Sequence, residues 1–159
     1  MKIVLADDDA QMREMLTDFL SGKYPDSQIS AYSGGEEALI KITEEPDLAI
    51  LDYNLDSINP GAMNGLQIFQ KLKEKYPKLP VIFLSGQDRA GIAANIIKYG
   101  AWDYVVKNEN AFQRLEILIG KIFGNAELQK NLGTQKFFNR LLALIIVGLL
   151  IGFIIMKME

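Results

Sequence analysis

The sequence contains no cysteine and no histidine. The first absence excludes disulfides, thiolate nucleophiles and cysteine-based metal sites. The second removes the commonest general base, the commonest zinc ligand and any phosphohistidine of the chain's own. Positive charge is scarce through most of the chain. Of seventeen Lys and Arg residues, Lys130, Lys136, Arg140 and Lys157 fall after residue 127, where Glu159 is the sole acid among twenty. An acidic body with a basic, apolar tail lacks the basic face that nucleic-acid binding requires, so no nucleic-acid partner is expected. It suits a domain held at a membrane. With 49% apolar residues in 159, the chain can bury one full core and carry a short appendage. The apolar run Ile3–Ala6 is too short for a secretory signal and stops at three acids.

What is present is an alternation of short apolar runs with longer helical ones. Ile3–Ala6, Gln28–Tyr32, Leu48–Leu51, Val81–Leu84 and Tyr104–Val106 read as strands. Asp9 can cap a helix carrying Met12, Met15, Leu16, Phe19 and Leu20 on one face, with Gly22 as its stop. Ser33-Gly-Gly-Glu-Glu opens a second helix that Pro46 ends. Helices are expected at Asn64–Tyr76, at Asp88–Tyr99 before Gly100, and at Asn110–Phe123. Five β-α repeats predict a doubly wound, five-stranded parallel sheet covered on both faces. In such sheets ligands bind outside the carboxyl ends of the strands.

Those ends hold a coherent group: Asp7, Asp8 and Asp9 after the first strand, Asp52 ending the third, Ser85-Gly86 after the fourth and Lys107 after the fifth. Carboxylates that close raise one another's pKa and call for a hard cation. Mg²⁺ fits, because it takes one or two carboxylates and binds phosphate oxygens. A carboxylate beside Mg²⁺ can attack phosphorus, with a lysine and a hydroxyl stabilising the charge on the transferring group.

At these positions Lys2-Ile-Val-Leu-Ala-Asp-Asp-Asp, Pro46-Asp-Leu-Ala-Ile-Leu-Asp52, Val81-Ile-Phe-Leu-Ser-Gly and Tyr104-Val-Val-Lys107 resemble the motifs of two-component receiver domains over residues 1–123. The resemblance implies a flavodoxin-like strand order 2-1-3-4-5 and a phospho-accepting response regulator rather than an enzyme. It implies Asp52 as phosphoacceptor, and Asp7, Asp8, Asp52 and the backbone carbonyl of Asn54 as Mg²⁺ ligands, Asp8 foremost in the acidic pair. It implies Ser85, Gly86 and Lys107 at the phosphate, and Ser85 and Tyr104 as switch residues. The implied donor is a phosphohistidine on a histidine kinase or phosphotransfer protein. Two departures stand out. Asn108 follows Lys107 where the family has proline, and a cis non-proline bond costs ~3 kcal/mol; Lys107 is therefore expected to be less firmly placed. Asp56-Ser-Ile-Asn-Pro-Gly-Ala reads as an insertion beside the site.

The character changes after Phe123. Residues 124–136 read as a linker or helical extension. Leu141–Met156 is sixteen residues without a charge, apolar all round. Such a length spans ~24 Å as a helix, slightly short of a bilayer core, and flanking Phe137, Phe138, Arg140 and Lys157 can extend it. Residues 137–158 are therefore expected to anchor the domain in the inner membrane of a bacterium. The bases preceding the span put the receiver in the cytoplasm. Gly148 and Gly152 allow a homodimer through helix packing. The residues after 123 are too few for an output domain, so output is expected through protein contacts. Two competing readings remain: a receiver fold that has lost switching and serves as a docking platform, and a metal-dependent phosphohydrolase, disfavoured by Asn54 two residues after Asp52.

Overall fold

The computed structural model describes residues 1–57, 61–86 and 90–124. Contacts within the chain fall into two units, Met1–Leu118 and Ile119–Glu159; of the second, only 119–124 are described, and they are helical.

The expected strands form: β1 (Lys2–Ala6), β2 (Gln28–Tyr32), β3 (Leu48–Asp52), β4 (Val81–Ser85) and β5 (Asp103–Val106). All pairings are parallel and the order is β2-β1-β3-β4-β5. Helices α1 (Ala10–Lys23), α2 (Gly35–Lys41), α3 (Gly65–Lys75) and α4 (Ala90–Lys98) connect them, and a fifth, α5, covers 111–124. Every residue of β3 and β4 is buried, which is why these strands carry continuous apolar runs. The edge strand β2 is only partly covered and reads correspondingly weakly.

Side chains alternate between the faces of a strand. Val4, Ala6, Ala49, Leu51, Val81, Phe83 and Tyr104 share one buried cluster with Ile68, Phe69 and Leu72 of α3. Phe69 meets Phe83 edge-on at 5.5 Å. The intervening residues Ile3, Leu5, Ile50, Ile82, Leu84 and Val105 are buried too and belong to the other face. Each fully buried Leu, Ile or Phe contributes about 1.5–3 kcal/mol, so the centre of the sheet is the firmest part on which to mount a site.

Two helix ends and one strand start depart from expectation. Gly22 does not stop α1; the helix runs through it to Lys23 and closes with the Tyr24 N–H donating to the Leu20 carbonyl at 2.8 Å. Gly22 lacks the left-handed backbone that would make it a stop. Helix α2 ends at Lys41, well short of Pro46, so the proline does not terminate it. The fifth strand begins at Asp103, one residue early. Gly100 does stop α4: its φ of 96° is a conformation that only glycine adopts without strain.

Among the described residues no helix is long and apolar enough to cross a membrane. Residues 125–159, which hold most of the expected linker, the whole expected span 137–158 and the Gly148 and Gly152 pair, lie outside the described residues.

Candidate functional site

Strand register assembles the site. Ala6 pairs with Leu51, Asp52 with Leu84, and Ser85 with Val106, so the strands end level with one another. One step beyond β1 and β5 come Asp7 and Lys107. Among the described residues the buried polar or charged side chains are Asp7, Asp52 and Ser85, all at this edge. Burying a charge is costly unless it is compensated, and the compensation is visible. The Lys107 ammonium stands 2.8 Å from Asp52 Oδ2 and 2.8 Å from Asp7 Oδ2. It donates a hydrogen bond to Asp52, and its contact with Asp7 at the same distance leaves both buried carboxylates leaning on one ammonium.

Backbone groups hold both carboxylates in place. Asp7 Oδ1 accepts from the Asp9 N–H at 3.0 Å, and Asp52 Oδ1 from the Asn54 N–H at 3.3 Å. Asp9 caps α1, accepting from the amides of Gln11 and Met12, and takes no part in the cluster. Arg13 of α1 reaches back to donate to the Asp7 carbonyl at 2.6 Å.

Oxygens of Asp7, Asp8 and Asp52 lie within 4.8 Å of one another, close enough to share one cation. The donor set is all oxygen and anionic, and three carboxylates meet there with a single ammonium, so the residues present fit a hard divalent ion. Burial pushes the Asp7 carboxyl above its ordinary pKa; the Lys107 ammonium opposes this, and the Asp52 charge adds to it. Lys107 is itself half-desolvated, which alone would lower its pKa, but hydrogen bonds to Asp52 and Asp7 and the charges of both raise it overall.

These shifts give a prediction. Two carboxylates share one ammonium, and Asp7, with its folded pKa raised, costs stability above that pKa. Asp7→Asn should therefore stabilise the metal-free fold by ~1 kcal/mol at neutral pH. The gain should vanish as pH falls through the carboxyl's folded pKa. The same variant should bind Mg²⁺ about tenfold or more weakly. Urea melts with and without Mg²⁺ check both; a destabilised, Mg²⁺-competent variant would contradict the assignment.

The remaining expected residues are distributed as follows. Ser85 is buried, and its carbonyl accepts from the Lys107 N–H at 2.7 Å, fixing the start of the loop that carries the ammonium. Gly86 is exposed, and a Cβ there would meet open space. Asn54 is half-buried, and its carbonyl accepts from the Ser57 N–H at 3.3 Å. Tyr104 is 7% exposed, inside the core cluster.

Without the proline, the Lys107 ammonium still reaches both carboxylates, 2.8 Å from each. No cis peptide occurs among the described residues. Asn108 instead organises the loop: its side chain accepts from the Asn110 N–H at 3.0 Å, and its carbonyl from Ala111 at 3.0 Å.

Sequence reasoning missed the grip of the insertion. The Ser57 hydroxyl donates to Asp8 Oδ2, and the Met63 N–H beyond the loop donates to Glu36 Oε1 at 2.5 Å. Only the position of Asp56–Ala62 next to Asp52 pointed that way. A hydroxyl paired with a carboxylate 49 positions away leaves no local signal.

Residues 3–119 match the sequence model of the response regulator receiver domain. Similar curated proteins include the transcriptional activator protein ExaE of Pseudomonas putida, 31% identical over 136 residues, covering 85% of this chain and 61% of that protein. Another is a protein-glutamate methylesterase/protein-glutamine glutaminase of Bacillus subtilis, 36% identical over 109 residues, covering 67% of this chain and 29% of the relative. The chain thus spans less than two thirds of either. Among solved structures, response regulator TrrA of Thermotoga maritima, in complex with Mg²⁺ and BeF, is 29% identical with a TM-score of 0.64, over 76% of this chain and 97% of that one. With this match over most of its length, the chain belongs to the response regulator receiver domain family.

Proposed function

We propose that this receiver accepts a phosphoryl group on Asp52 from a phosphohistidine of a histidine kinase or phosphotransfer protein, and that the modified surface signals by contact with another protein. The observation that carries this reading is the shared ammonium: Lys107 bridges Asp52 and Asp7, 2.8 Å from each, beside buried Ser85. Asp7, Asp8, Asp52 and the Asn54 carbonyl would hold Mg²⁺. When bound, the ion neutralises the carboxylates and draws charge from the phosphoryl oxygens.

The chain's own residues do the rest. An oxygen of Asp52 forms the bond to phosphorus as the bond to the donor's imidazole nitrogen breaks, and the electron pair leaves with that nitrogen. Lys107 exchanges part of its contact with Asp52 for a phosphoryl oxygen, retaining Asp7 as its second partner. Ser85 supplies a hydroxyl to another phosphoryl oxygen, and Gly86 leaves the approach open. Tyr104, inward against the core, is the aromatic whose position would report the Ser85 contact.

Being half-desolvated, the ammonium is worth more to the phosphoryl charge than one in water. Its contacts with Asp52 and Asp7 favour a working switch over a non-switching docking module. Labelling with acetyl phosphate and Mg²⁺ tests the acceptor: the wild type should take up label and Asp52→Asn should not.

The same reading has the domain on the cytoplasmic side of a bacterial membrane, held by residues 137–158. Its support is the uncharged run Leu141–Met156 and the bases that precede it. Twelve Leu, Ile, Val and Phe residues in that run favour insertion by roughly 5 kcal/mol in total.

A further inference from the structure

Exposed large apolar side chains are few among the described residues, and three of them, Ile97, Tyr99 and Trp102, fall within one turn where α4 passes into β5. Tyr99 is 62% exposed and Trp102 45%. That turn is rigid. Gly100 takes its left-handed conformation there, and the Trp102 N–H donates to the Val81 carbonyl at 2.7 Å. The end of α3 adjoins it, since Lys73 Cε lies 3.9 Å from where a Gly100 Cβ would stand.

Charge around the turn is mainly positive. Lys78 and Lys98 are exposed there, against exposed Glu74, while the Lys75 ammonium is turned to the Ile42 carbonyl at 2.7 Å; Asp103 is occupied by Arg114 at 3.3 Å. The acids of this end of the sheet, Asp26, Glu45 and Asp47, gather instead around β1, β2 and β3. Aromatic rings with one polar edge, ringed by lysines, match the headgroup layer of an anionic bilayer.

The exit of the chain agrees. The ion pair of Lys23, last residue of α1, with Glu116 at 2.9 Å sets α5 by residue 116 level with the C-terminal end of α1. The chain therefore leaves Leu118 at the end of the sheet that carries Tyr99 and Trp102, opposite Asp52. Eighteen residues separate Leu118 from Phe137. Their reach is at most ~60 Å, so a contact too weak to form from solution would be populated by tethering.

We infer that the Ile97-Tyr99-Trp102 turn with Lys78 and Lys98 rests on an anionic lipid surface and orients the tethered receiver. This inference depends on the membrane anchor proposed above. With strands of five residues at ~3.3 Å each, the phosphoacceptor would stand ~15–20 Å above the lipid, facing a soluble donor.

The chain has a single tryptophan, Trp102, so its fluorescence reports on this turn alone. The full chain is reconstituted at low protein density into phosphatidylcholine vesicles containing phosphatidylglycerol, and into phosphatidylcholine alone. Flotation reads the anchor. Trp102 emission, with lipids brominated near the headgroup, reads the resting face. In anionic vesicles we expect flotation, a blue shift and about twofold quenching, as for a ring at interfacial depth. Lys78→Glu with Lys98→Glu, both on the surface, should float equally and lose the quenching. Flotation of the wild type without quenching overturns the resting face and leaves the anchor standing. A blue shift that grows with protein density but is not quenched assigns the turn to a second copy and also overturns it. Failure to float refutes the anchor, and the resting face with it.

Discussion

Asp52→Asn should fold and yet take up essentially no phosphate from acetyl phosphate with Mg²⁺, a loss on the order of a thousandfold or more, because the nucleophile is gone. The amide keeps the shape of the side chain and its place in β3, where Asp52 pairs with Leu84. What it lacks is the anionic oxygen that would attack phosphorus. The fold should hardly suffer. Lys107 keeps Asp7 as a partner at 2.8 Å, and the repulsion between Asp7 and Asp52 disappears. Stability should therefore change by no more than ~1 kcal/mol. Hydroxylamine-labile label on the wild type and none on the variant is the expected pair of results. Equal labelling of the two would move the acceptor elsewhere.

Gly65→Ala should be the most damaging single methyl in the described fold. A Cβ at this first residue of α3 would lie 2.0 Å from the Asp52 carbonyl oxygen, 2.9 Å from Tyr53 Cα and 3.0 Å from the Asp52 carbonyl carbon. All three are backbone atoms, so no side-chain rotation relieves the overlap. The helix start also bonds directly to this stretch, through the Gly65 N–H and the Tyr53 carbonyl at 2.9 Å. Alanine would ordinarily favour a helix over glycine by about 1 kcal/mol. The clash outweighs that, and a net loss of ~3 kcal/mol or more is expected, with reduced phosphorylation because the end of β3 must shift. Gly22→Ala is the control. A Cβ there meets nothing within 4 Å, inside a helix, and should stabilise by up to ~1 kcal/mol. Urea denaturation of the two variants separates the close approach at Gly65 from a general intolerance of alanine.

The contrast between these glycines shows what a sequence discloses. The helix starting near Asn64 is readable from sequence, and the capping box of Asn64 with Gln67 is local chemistry. That Gly65 lies against the backbone of Asp52 depends on how α3 returns to β3, which no neighbouring residue encodes. The strands were legible because full burial of β3 and β4 forces uninterrupted apolar residues. Helix ends were less so. Gly22 and Pro46 resemble stops, yet α1 runs through Gly22 to Lys23, and α2 ends at Lys41, just before the buried Ile42 and well short of Pro46.

At the site, Asp7, Asp8, Asp52, Ser85 and Lys107 could be named because strand ends gather them, whatever the details. Their relative standing could not. Asp8 is half-exposed and engaged by Ser57, Asp7 is fully buried and shares Lys107 with Asp52, and both lie within reach of one cation with Asp52. Burial of one member of an acidic pair follows from the direction of the chain as it leaves β1. Likewise, the missing proline after Lys107 suggested a loose ammonium. The side chain and carbonyl of Asn108 supply local bonds that proline could not foretell.

The central claim is that anionic side chains at the strand ends surround a divalent ion so that a phosphoryl group can be held on Asp52. Titrating the wild-type chain with Mg²⁺ and beryllofluoride, each alone and then together, while following the amide resonances of Ser85, Tyr104 and Lys107, tests it most directly. Mg²⁺ alone should give small, local shifts, beryllofluoride alone none, and both together broad changes reaching all three residues. Unchanged spectra with both, or the same changes without Mg²⁺, would contradict it.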